Sequence, residues 1–388
     1  MPVTAPRRLR RQLARLVPAA TGSRGAGESL AASQWLLAAE LAVLQGRLLD
    51  GLDRPGRGPR RIVGRTVASS GTGGVPKRAR WSVEAMRWQD AAEARSRHWA
   101  GLEPGASRIW VCCTPPDPLR RVGSLLENTR IVAAGAVAGD ESGLAALADD
   151  LVRRPPDALQ GVSNVLAALA RELERRSVTL PRTVCFSAGN HLTPWYRRQL
   201  EAVFARPARE RYAVSEVGLI AASCELGSLH VTVENLLVEV VDECGDAVAT
   251  GDAGEITVTM LRNGASTRRP VGDVGRLHGE PCGCARGLPT IELLGRASEQ
   301  AWLSDGRVVA PSELFDAIDD PSIADARFRH LTEQDVLEVE IQRARGAAGE
   351  GVGDRLDALV GPDTRVVVRD VARLEPGTSG KLPLVASV

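Results

Sequence analysis

The sequence predicts a large N-terminal α/β domain, built from parallel sheets with helices and a β-rich subdomain, and a small α+β domain at the C-terminus. Strand-like and helix-like segments alternate from residue 62 to about 294, which is typical of a parallel α/β sheet. After Glu216, short strands with hairpin turns replace the helices. A smaller unit with its own strands and helix follows residue 295.

The first half of the chain supplies the α/β elements. "SVEAMRWQDAAEARSRHW" predicts a helix with Ser82 as its N-cap. "RIWVCC" and "RIVAAGAV" predict buried strands, and "GLAALADDLVRR" and "NVLAALARELERR" predict the helices that follow. "TVCFSAG" predicts a strand ending in a turn, after which Thr193 is placed to cap the helix "PWYRRQLEAVF".

The second half is richer in strands. "LHVTV", "LLVEVVD" and "GEITVTML" predict strands, with "ECGD" as a turn between the last two. Further on, "VLEVEIQ" and "RVVVRDV" predict strands on either side of the helical segment "GVGDRLDALV". We therefore divide the chain into a large domain, residues 1–295, and a small domain, residues 296–388.

The composition excludes several function classes. The 388 residues carry a net charge of +1, so charge gives no reason to expect nucleic acid as a partner. No apolar run reaches membrane-spanning length, and the basic N-terminus lacks the apolar core of a signal peptide. Seven cysteines in so long a chain do not indicate a disulfide framework. We expect a cytoplasmic protein without a membrane partner, for which a homodimer is one oligomeric state to test.

Arginine supplies nearly all of the positive charge. Of 49 basic residues, only Lys77 and Lys381 are lysines. Lysine offers a compact ammonium that fits against a single oxygen, which a guanidinium does not. Lys77 closes the glycine-rich stretch "SSGTGGVPK", and Lys381 lies in a second turn of small residues, "EPGTSGKLP". We therefore predict a functional role for both lysines.

The glycine-rich stretch fits neither of two common phosphate-binding motifs. A P-loop needs glycine before the lysine and Ser or Thr after it, where this chain has Pro76 and Arg78. The dinucleotide fingerprint fails because Pro76 occupies the place of its third glycine. Exposed amides, hydroxyls and one ammonium can nevertheless surround a triphosphate.

The stretch resembles the phosphate loop of the adenylate-forming superfamily, and further motifs of that superfamily follow in order. "ERYAVSE" resembles its Tyr-Gly-x-Thr-Glu motif, and "RPVGDVGRL" contains the Gly-Asp of its Thr-Gly-Asp motif. "LLGRASE" resembles its hinge motif, Gly-Arg-x-Asp, and "EPGTSGKLP" its C-terminal Ser-Gly-Lys. The segments "CELGSLHVTVENLLVEVVD" and "EPCGCARGLPTIELLGRA" are most similar to phenylacetate–coenzyme A ligases.

The resemblance implies nucleotide-binding roles for the matching residues. Those that would hold the β- and γ-phosphates of ATP are Ser69, Ser70, Gly71, Thr72, Gly73, Gly74 and Lys77. Tyr212 would stack on adenine, followed by Ala213 where the family has glycine, and Gly189 and Asn190 would line the base. Arg296 of the hinge motif would also contact the nucleotide.

The resemblance also implies the chemical roles. Ser215 would contact the α-phosphate, Glu216 would coordinate Mg²⁺, and Asp273 would accept both ribose hydroxyls. Lys381 would reach the substrate carboxylate and the α-phosphate when a mobile small domain closes. Taken singly, Tyr212 is equally a core aromatic, Glu216 a helix-terminal charge and Asp273 a turn residue, and only their order along the chain favours the functional interpretation.

Several positions depart from the superfamily pattern. Gly73 and Val75 replace Thr and Lys in the loop, and Val271 replaces the hydroxyl residue before Gly-Asp. Ser298 stands where the hinge aspartate is expected. None of these changes removes Glu216, Asp273 or Lys381, the residues assigned to adenylation. The second half-reaction, in which the acyl group is transferred, depends on rotation at the hinge, where Ser298 departs from the pattern.

Four further residues suit a metal. Cys282 and Cys284 form "CGC", and Cys224 and His230 have the spacing Cys-x5-His. The set fits a tetrahedral Cys3His zinc site, although its spacing is not that of a standard finger. Some phenylacetate–coenzyme A ligase relatives carry metal-binding cysteines in these segments. The alternatives are a tight turn with two exposed thiols, or His278 as a substitute ligand.

Together these features predict an ATP-dependent ligase that forms an acyl-adenylate from a small carboxylic acid and releases pyrophosphate. By resemblance, coenzyme A is the leading acyl acceptor and an aryl or arylacetic acid the leading substrate. A carrier-protein thiol or an amine is the alternative acceptor. A nucleotide-binding homologue without turnover is the alternative from another functional class.

Overall fold

The computed structural model describes residues 65–68, 78–113, 128–138, 140–261, 268–284, 286–347, 349–377 and 380–387. The predicted phosphate loop, residues 69–77, lies outside the described residues. The chain forms two compact units, Met1–Trp99 with Arg211–Leu293, and Ala100–Glu210 with Leu294–Val388. None of the described helices is both long and apolar enough to cross a bilayer. The division into domains 1–295 and 296–388 stays a prediction.

The first unit is mainly antiparallel β-structure. Its strands are β1 (Arg65–Ala68), β2 (Arg78–Trp81), β7 (Arg209–Val214), β8 (Gly218–Ser223), β9 (Leu229–Val231), β10 (Leu236–Val241), β11 (Gly254–Met260), β12 (Arg268–His278) and β13 (Thr290–Arg296). Strands β7 to β13 are neighbours in the order β7-β8-β9-β13-β12-β11-β10. β1 and β2 pair antiparallel, with Ala68 opposite Arg78.

Among the described residues of this unit, one helix, α1 (Val83–Trp99), accompanies these strands. The predicted cap is confirmed, because Ser82 Oγ accepts a hydrogen bond from the Ala85 amide at 3.0 Å. Ala85, Ala92 and Gln89 on this helix are buried. Ala85 packs into a core that includes Ile220, Ala221 and Val231 of β8 and β9.

The second unit contains a parallel sheet with helices between its strands. Its first elements are β3 (Arg108–Cys112), β4 (Thr129–Ala133), β5 (Ala158–Val162) and β6 (Val184–Ala188), with the helices α2 (Ala134–Ala138), α3 (Glu141–Arg153), α4 (Ser163–Arg175) and α5 (Pro194–Phe204). The strands lie in the order β4-β3-β5-β6 and all pair in parallel. Thr193 caps α5 as predicted, accepting from the Tyr196 amide at 3.4 Å.

The described C-terminal part of this unit contains a four-stranded sheet, a separate pair of short antiparallel strands and two α-helices. Its elements are β14 (Ala301–Trp302), β15 (Val308–Val309), α6 (Pro311–Ala317), β16 (Ile323–Leu331), β17 (Val336–Arg343), α7 (Val352–Val360), β18 (Arg365–Val371) and β19 (Val385–Ser387). The sheet has the order β18-β17-β16-β19, and β14 and β15 form the separate pair. β19 pairs parallel with β16, with Phe328 opposite Val385. The predicted fold class, a large α/β part with a smaller α+β part, is confirmed.

One strand prediction needs correction. The run "RIVAAGAV" predicts a single buried strand, but β4 ends at Ala133 and the next five residues form the short helix α2. Within β4 no residue is fully buried, because β4 is the outermost strand of the sheet. A short apolar run does not distinguish a strand from a helix.

A large hydrophobic core runs through the second unit. It contains residues of the parallel sheet and its helices, such as Leu166 and Trp195, together with Phe315 and Phe328 from the C-terminal part. The Trp195 and Phe315 rings lie 5.6 Å apart in an edge-on arrangement, and those of Phe315 and Phe328 lie 5.9 Å apart. The two sequence stretches of this unit therefore share one interior.

A buried polar contact crosses this core. Tyr196 on α5 donates a hydrogen bond from its hydroxyl to Asp325 Oδ1 on β16, at 2.5 Å. Beside it, Arg171 on α4 and Gln199 on α5 both donate to the Ala324 carbonyl, at 3.0 and 2.8 Å. Burial raises the pKa of the Asp325 carboxyl to about 6, against the opposing charge of Arg171 and the hydrogen bond from Tyr196.

The raised pKa of Asp325 predicts a pH-dependent stability. The folded protein binds this proton more tightly than the unfolded chain, where an aspartate pKa is about 3.9. The contribution to the free energy of unfolding is therefore fully present below pH about 4 and is lost as the pH rises through about 6. Relative to Asp325→Asn, the wild type should lose up to about 3 kcal/mol between pH 4 and pH 7.

Urea unfolding of both proteins at several pH values measures this difference. Asp357→Asn, at an exposed aspartate on α7, serves as the control and should follow the wild type. A constant difference between wild type and Asp325→Asn across this pH range would contradict the assignment.

Candidate functional site

The turn that carries Lys381 lies beside the end of strand β6. Gly189 follows β6 with a φ of +79°, and a Cβ at this position would lie 3.7 Å from Lys381 Cε and 3.9 Å from Lys381 Nζ. The structure therefore brings together Gly189, Asn190 and Lys381, three residues that the sequence assigns to one site. In a parallel α/β sheet, ligands bind at the carboxyl ends of the strands, which is where this group lies.

Asparagine side chains hold the backbone on both sides of the lysine. Asn164 Nδ2 donates to the Gly380 carbonyl at 2.8 Å, and Asn190 Nδ2 donates to the Leu382 carbonyl at 3.0 Å. Ser163 Oγ donates to the Asn190 carbonyl at 2.8 Å and lies 2.7 Å from Ser187 Oγ. The turn around Lys381 is thus connected to the ends of β5 and β6.

Sequence reasoning missed Ser163, Asn164 and Ser187. The signal was the polar pair Ser-Asn between an apolar strand and an apolar helix, a pattern that usually indicates a helix cap. In the structure the N-cap of α4 is Val162, without a side-chain capping bond. The side chains of Ser163 and Asn164 are instead directed to Asn190 and Gly380.

Two further titratable side chains lie near this group. Burial raises the pKa of the Cys113 thiol, and the positive charge of Lys381 opposes the shift. Burial, assisted by the charge of Arg296, lowers the pKa of His191 to about 4. His191 is therefore neutral at pH 7, and its ring packs edge-on against Phe315 at 5.4 Å.

The first unit brings together two other predicted residues. Tyr212 on β7 donates its hydroxyl to Asp273 Oδ2 on β12 at 2.7 Å, and both residues are buried. A hydrogen bond to a carboxylate is stronger than one between neutral groups, so it fixes the orientation of both side chains. The order along the chain placed these residues in one site, and the structure gives them direct contact.

Ser215 and Glu216 lie in the turn between β7 and β8, and both are half-buried. Ala213, near the end of β7, is exposed. The turn is fixed from α1, because Gln89 accepts a hydrogen bond from the Leu219 amide at 3.0 Å. Gly218 follows the turn with a φ of +85°, and a Cβ there would lie 2.4 Å from Gln89 Oε1.

The four proposed metal ligands converge in the first unit. The ligand atoms of Cys224, His230, Cys282 and Cys284 all lie within 4.8 Å of one another. Cys224 Sγ and Cys282 Sγ are 3.8 Å apart, and Cys284 Sγ lies 3.2 Å from His230 Nε2. A tetrahedral zinc with Zn–S bonds of about 2.3 Å separates its sulfur ligands by about 3.8 Å. Cys3His is a donor set that zinc commonly takes.

The surroundings of His230 suit a ligand. His230 is fully buried, and its Nδ1 lies 3.2 Å from the Leu288 carbonyl. A proton on Nδ1 leaves Nε2, which is directed towards Cys284, unprotonated for metal binding. Trp99 packs edge-on against the imidazole at 5.8 Å. Cys244 is exposed, and His278 lies near Glu292 instead, at 3.6 Å, so neither belongs to the cluster.

Comparison with known proteins gives structural relatives only. No protein-family model matches the chain, and no curated protein matches it in sequence. Among solved structures it is similar to a 2-hydroxyisobutyryl-CoA ligase in complex with 2-HIB-AMP, with a TM-score of 0.67 and 16% identity over 96% of this chain and 89% of that one. An anthranilate CoA ligase, AuaEII, in complex with anthranoyl-AMP gives a TM-score of 0.64 at 13% identity, covering 85% and 68%.

A third similar structure is ATP-bound MatB from Rhodopseudomonas palustris. Its TM-score is 0.61 at 18% identity, and the match covers 84% of this chain and 67% of MatB. At such low identities the likeness shows the fold alone. This chain therefore has the fold of these CoA ligases over most of its length.

The turn with Ser215 and Glu216 has a testable requirement for glycine. Gly218→Ala introduces a Cβ both into a left-handed backbone conformation and against Gln89 and Trp81. Gly251→Ala provides a matched control, since Gly251 has a φ of +97° but no atom within 4 Å of its Cβ position. The control should lose about 1–2 kcal/mol of unfolding free energy from the backbone alone.

Gly218→Ala should lose a further 1–3 kcal/mol or so from overpacking. Urea unfolding compares the two variants. Equal losses would mean that the contact with Gln89 does not constrain the turn.

Proposed function

We propose that the protein is an ATP-dependent carboxylate-activating ligase that forms an acyl-adenylate. The observation that carries this proposal is the position of Lys381, which lies beside Gly189 and Asn190 at the carboxyl end of the parallel sheet. The likeness to ligases crystallised with acyl-AMP esters or ATP supports it. So does the scarcity of lysine, since one of only two in the chain occupies this turn.

In the proposed reaction, an oxygen of the substrate carboxylate attacks the α-phosphorus of ATP. A new P–O bond forms, the bond between the α- and β-phosphates breaks, and pyrophosphate leaves. Negative charge is concentrated between the carboxylate and the α-phosphate during this step. The Lys381 ammonium offsets that charge from a fixed position, so it lowers the barrier without reorganisation.

The residues of the first unit would hold the nucleotide. The hydroxyl of Tyr212 orients Asp273, whose carboxylate would accept the ribose hydroxyls, while the ring of Tyr212 would face the adenine. Glu216 and Ser215 are half-buried in one turn, which leaves each side chain partly accessible. Glu216 would bind Mg²⁺, which prefers carboxylate oxygens together with substrate phosphates and shields their charge, and Ser215 would donate to the α-phosphate.

For the second half-reaction we propose coenzyme A as the acyl acceptor. The thiolate would attack the acyl carbon, a thioester would form, and AMP would leave. The similar structures include CoA ligases for an aliphatic and an aromatic acid, and the sequence segments favour an aryl or arylacetic acid. Because one fold serves several acceptors, a carrier-protein thiol or an amine are the other outcomes of an acceptor screen.

We also propose that Cys224, His230, Cys282 and Cys284 bind a structural zinc ion. The sulfur separation and the second hydrogen bond of His230 support this assignment. The four residues come from two segments, 224–230 and 282–284. The metal would cross-link these segments and would thereby stabilise the fold.

Substitution of Lys381 tests the proposed ligase activity. ATP–pyrophosphate exchange with a panel of carboxylic acids should identify a substrate for the wild type. With that acid, Lys381→Ala should reduce the exchange rate at least about 100-fold, as the loss of one transition-state charge contact does. Lys381→Arg should fail similarly, because a planar guanidinium does not replace the compact ammonium.

Thermal unfolding and ATP binding should stay near wild type in both Lys381 variants. Exchange by Lys381→Arg at the wild-type rate would exclude the assigned role. Absence of exchange with every acid would favour a nucleotide-binding protein without turnover.

Metal analysis tests the zinc site. Protein purified without chelators should contain close to one zinc per chain, and chelation should lower the melting temperature. Cys282→Ser should remove the metal and lower the melting temperature, since one ligand is lost. Cys244→Ser changes an exposed cysteine outside the cluster and should alter neither quantity. Metal-free wild-type protein, or equal effects of the two substitutions, would refute the site.

A further inference from the structure

We propose that Asn164 and Asn190 are positioning residues that act together as a clamp on the turn of Lys381. This inference rests on the proposed function, because it assigns Lys381 its task. Asn164 holds the carbonyl of Gly380, the residue before the lysine, and Asn190 holds the carbonyl of Leu382, the residue after it. The only residue between the two anchored carbonyls is Lys381 itself.

Anchoring both neighbours restricts the direction in which the lysine side chain leaves the backbone. The Gly380 carbonyl belongs to the peptide group directly before Lys381, and the Leu382 carbonyl lies one peptide group beyond the one after it. Rotation about the lysine backbone would therefore break one of the two hydrogen bonds. Gly380 adds a steric limit, since it has a φ of +82° and its Cβ position lies 2.8 Å from the Ala134 carbonyl carbon. The Gly377 amide also donates to the Lys381 carbonyl at 2.8 Å, so the turn is held by two side-chain donors, one backbone donor and one close approach.

The burial of Asn164 indicates that its hydrogen bond has a specific use. Its side chain is 6% exposed, and Oδ1 has no hydrogen-bond partner within the part of the chain that is described. A buried polar atom without a partner costs about 1–3 kcal/mol. Leucine would fill a similar volume without that cost. The asparagine is explained by its Nδ2, which no apolar residue provides for the Gly380 carbonyl.

The clamp is itself anchored on regular secondary structure. Asn164 lies in the first turn of α4, directly after β5, and its neighbour Ser163 holds the carbonyl of Asn190. Asn190 follows β6 by two residues. Groups fixed on rigid elements place a catalytic side chain more accurately than a loop does. Since a misplacement of about 1 Å can reduce a rate about 100-fold, the clamp would act on the rate rather than on substrate binding.

Isosteric substitutions test the clamp. Asn164→Asp and Asn190→Asp keep the shape of the side chain but replace the donor with an acceptor facing a carbonyl oxygen. Each should lower kcat for ATP–pyrophosphate exchange about 10- to 100-fold. In Asn164→Asp, KM for ATP should change less than about threefold, because Asn164, unlike Asn190, has no assigned contact with the nucleotide. Asn128→Asp is the matched control. Asn128 also donates to a glycine carbonyl, that of Gly105 at 3.0 Å, but at an exposed position of the same unit.

A double-mutant cycle distinguishes positioning from a general structural effect. In the Lys381→Ala background, Asn164→Asp should not reduce the residual rate further, because Asn164 acts through the lysine alone. Additive losses would overturn the proposal, and so would wild-type exchange by both single variants. If the buried carboxylate of Asn164→Asp prevents folding, Asn164→Leu is used in its place. This variant should give the same kinetic pattern.

A spectroscopic readout keeps the test independent of turnover. The two lysines can be reductively methylated with ¹³C and assigned through Lys77→Arg and Lys381→Arg. The clamp predicts that Asn164→Asp, Asn164→Leu and Asn190→Asp each shift or narrow the Lys381 signal and leave the Lys77 signal unchanged, while Asn128→Asp changes neither. An unchanged Lys381 signal in these variants would refute the clamp, whether or not any acid supports exchange. Absence of exchange with every acid is a separate result, and it would refute the ligase proposal.

Discussion

The hydrogen bond between Tyr196 and Asp325 joins the parallel α/β part of the second unit to its C-terminal sheet. Tyr196 belongs to α5, which begins shortly after the Gly189–Asn190 turn, and Asp325 belongs to β16. β16 pairs with β19, the strand that follows the turn of Lys381. One buried contact therefore fixes both sides of the proposed site. Loss of the Tyr196 hydroxyl would leave the Asp325 carboxyl group without this partner in an apolar core, where the penalty for an unsatisfied polar group is large.

This arrangement explains why the turn of Lys381 holds its position although it contains little regular secondary structure. Residues 372–384 contain no helix or strand in their described part, yet the turn receives hydrogen bonds from Asn164 and Asn190 and passes directly into β19. The Gly377 amide closes the turn locally by donating to the Lys381 carbonyl at 2.8 Å, while the side chains that connect the turn to the rest of the unit lie on other elements. The opposite design appears around Ser215 and Glu216, where a tight hairpin between two paired strands fixes the turn locally and Gln89 supports it from α1.

The difference between these two designs decides how much the sequence could predict. Local patterns gave the caps Ser82 and Thr193, since the capping residue lies within three positions of its partner. The convergence of Cys224, His230, Cys282 and Cys284 was predicted from ligand chemistry, because few residue types bind zinc. The role of Asn164 was not predicted, since its partner lies 216 residues away and no periodicity connects them. The run "RIVAAGAV" was assigned wholly to a strand because a short apolar run does not distinguish a strand from a helix, and its second part forms helix α2.

The shared core also sets a condition on the predicted mobility of the C-terminal domain. If residues 296–388 rotated as one body, Phe315 would leave Trp195 and His191, and Tyr196 would lose Asp325. Exposing a buried aromatic side chain costs about 1.5–3 kcal/mol. Exposing Phe315, Trp195 and Tyr196, which are all buried, would therefore cost roughly 5–9 kcal/mol before any polar group is counted. Only differential binding of substrate or acceptor could offset a cost of that size. Releasing the Lys381 turn alone would break the two hydrogen bonds from Asn164 and Asn190, each with a net value of about 1 kcal/mol. Local opening of the proposed clamp is therefore the less costly way to move Lys381 between the two proposed half-reactions.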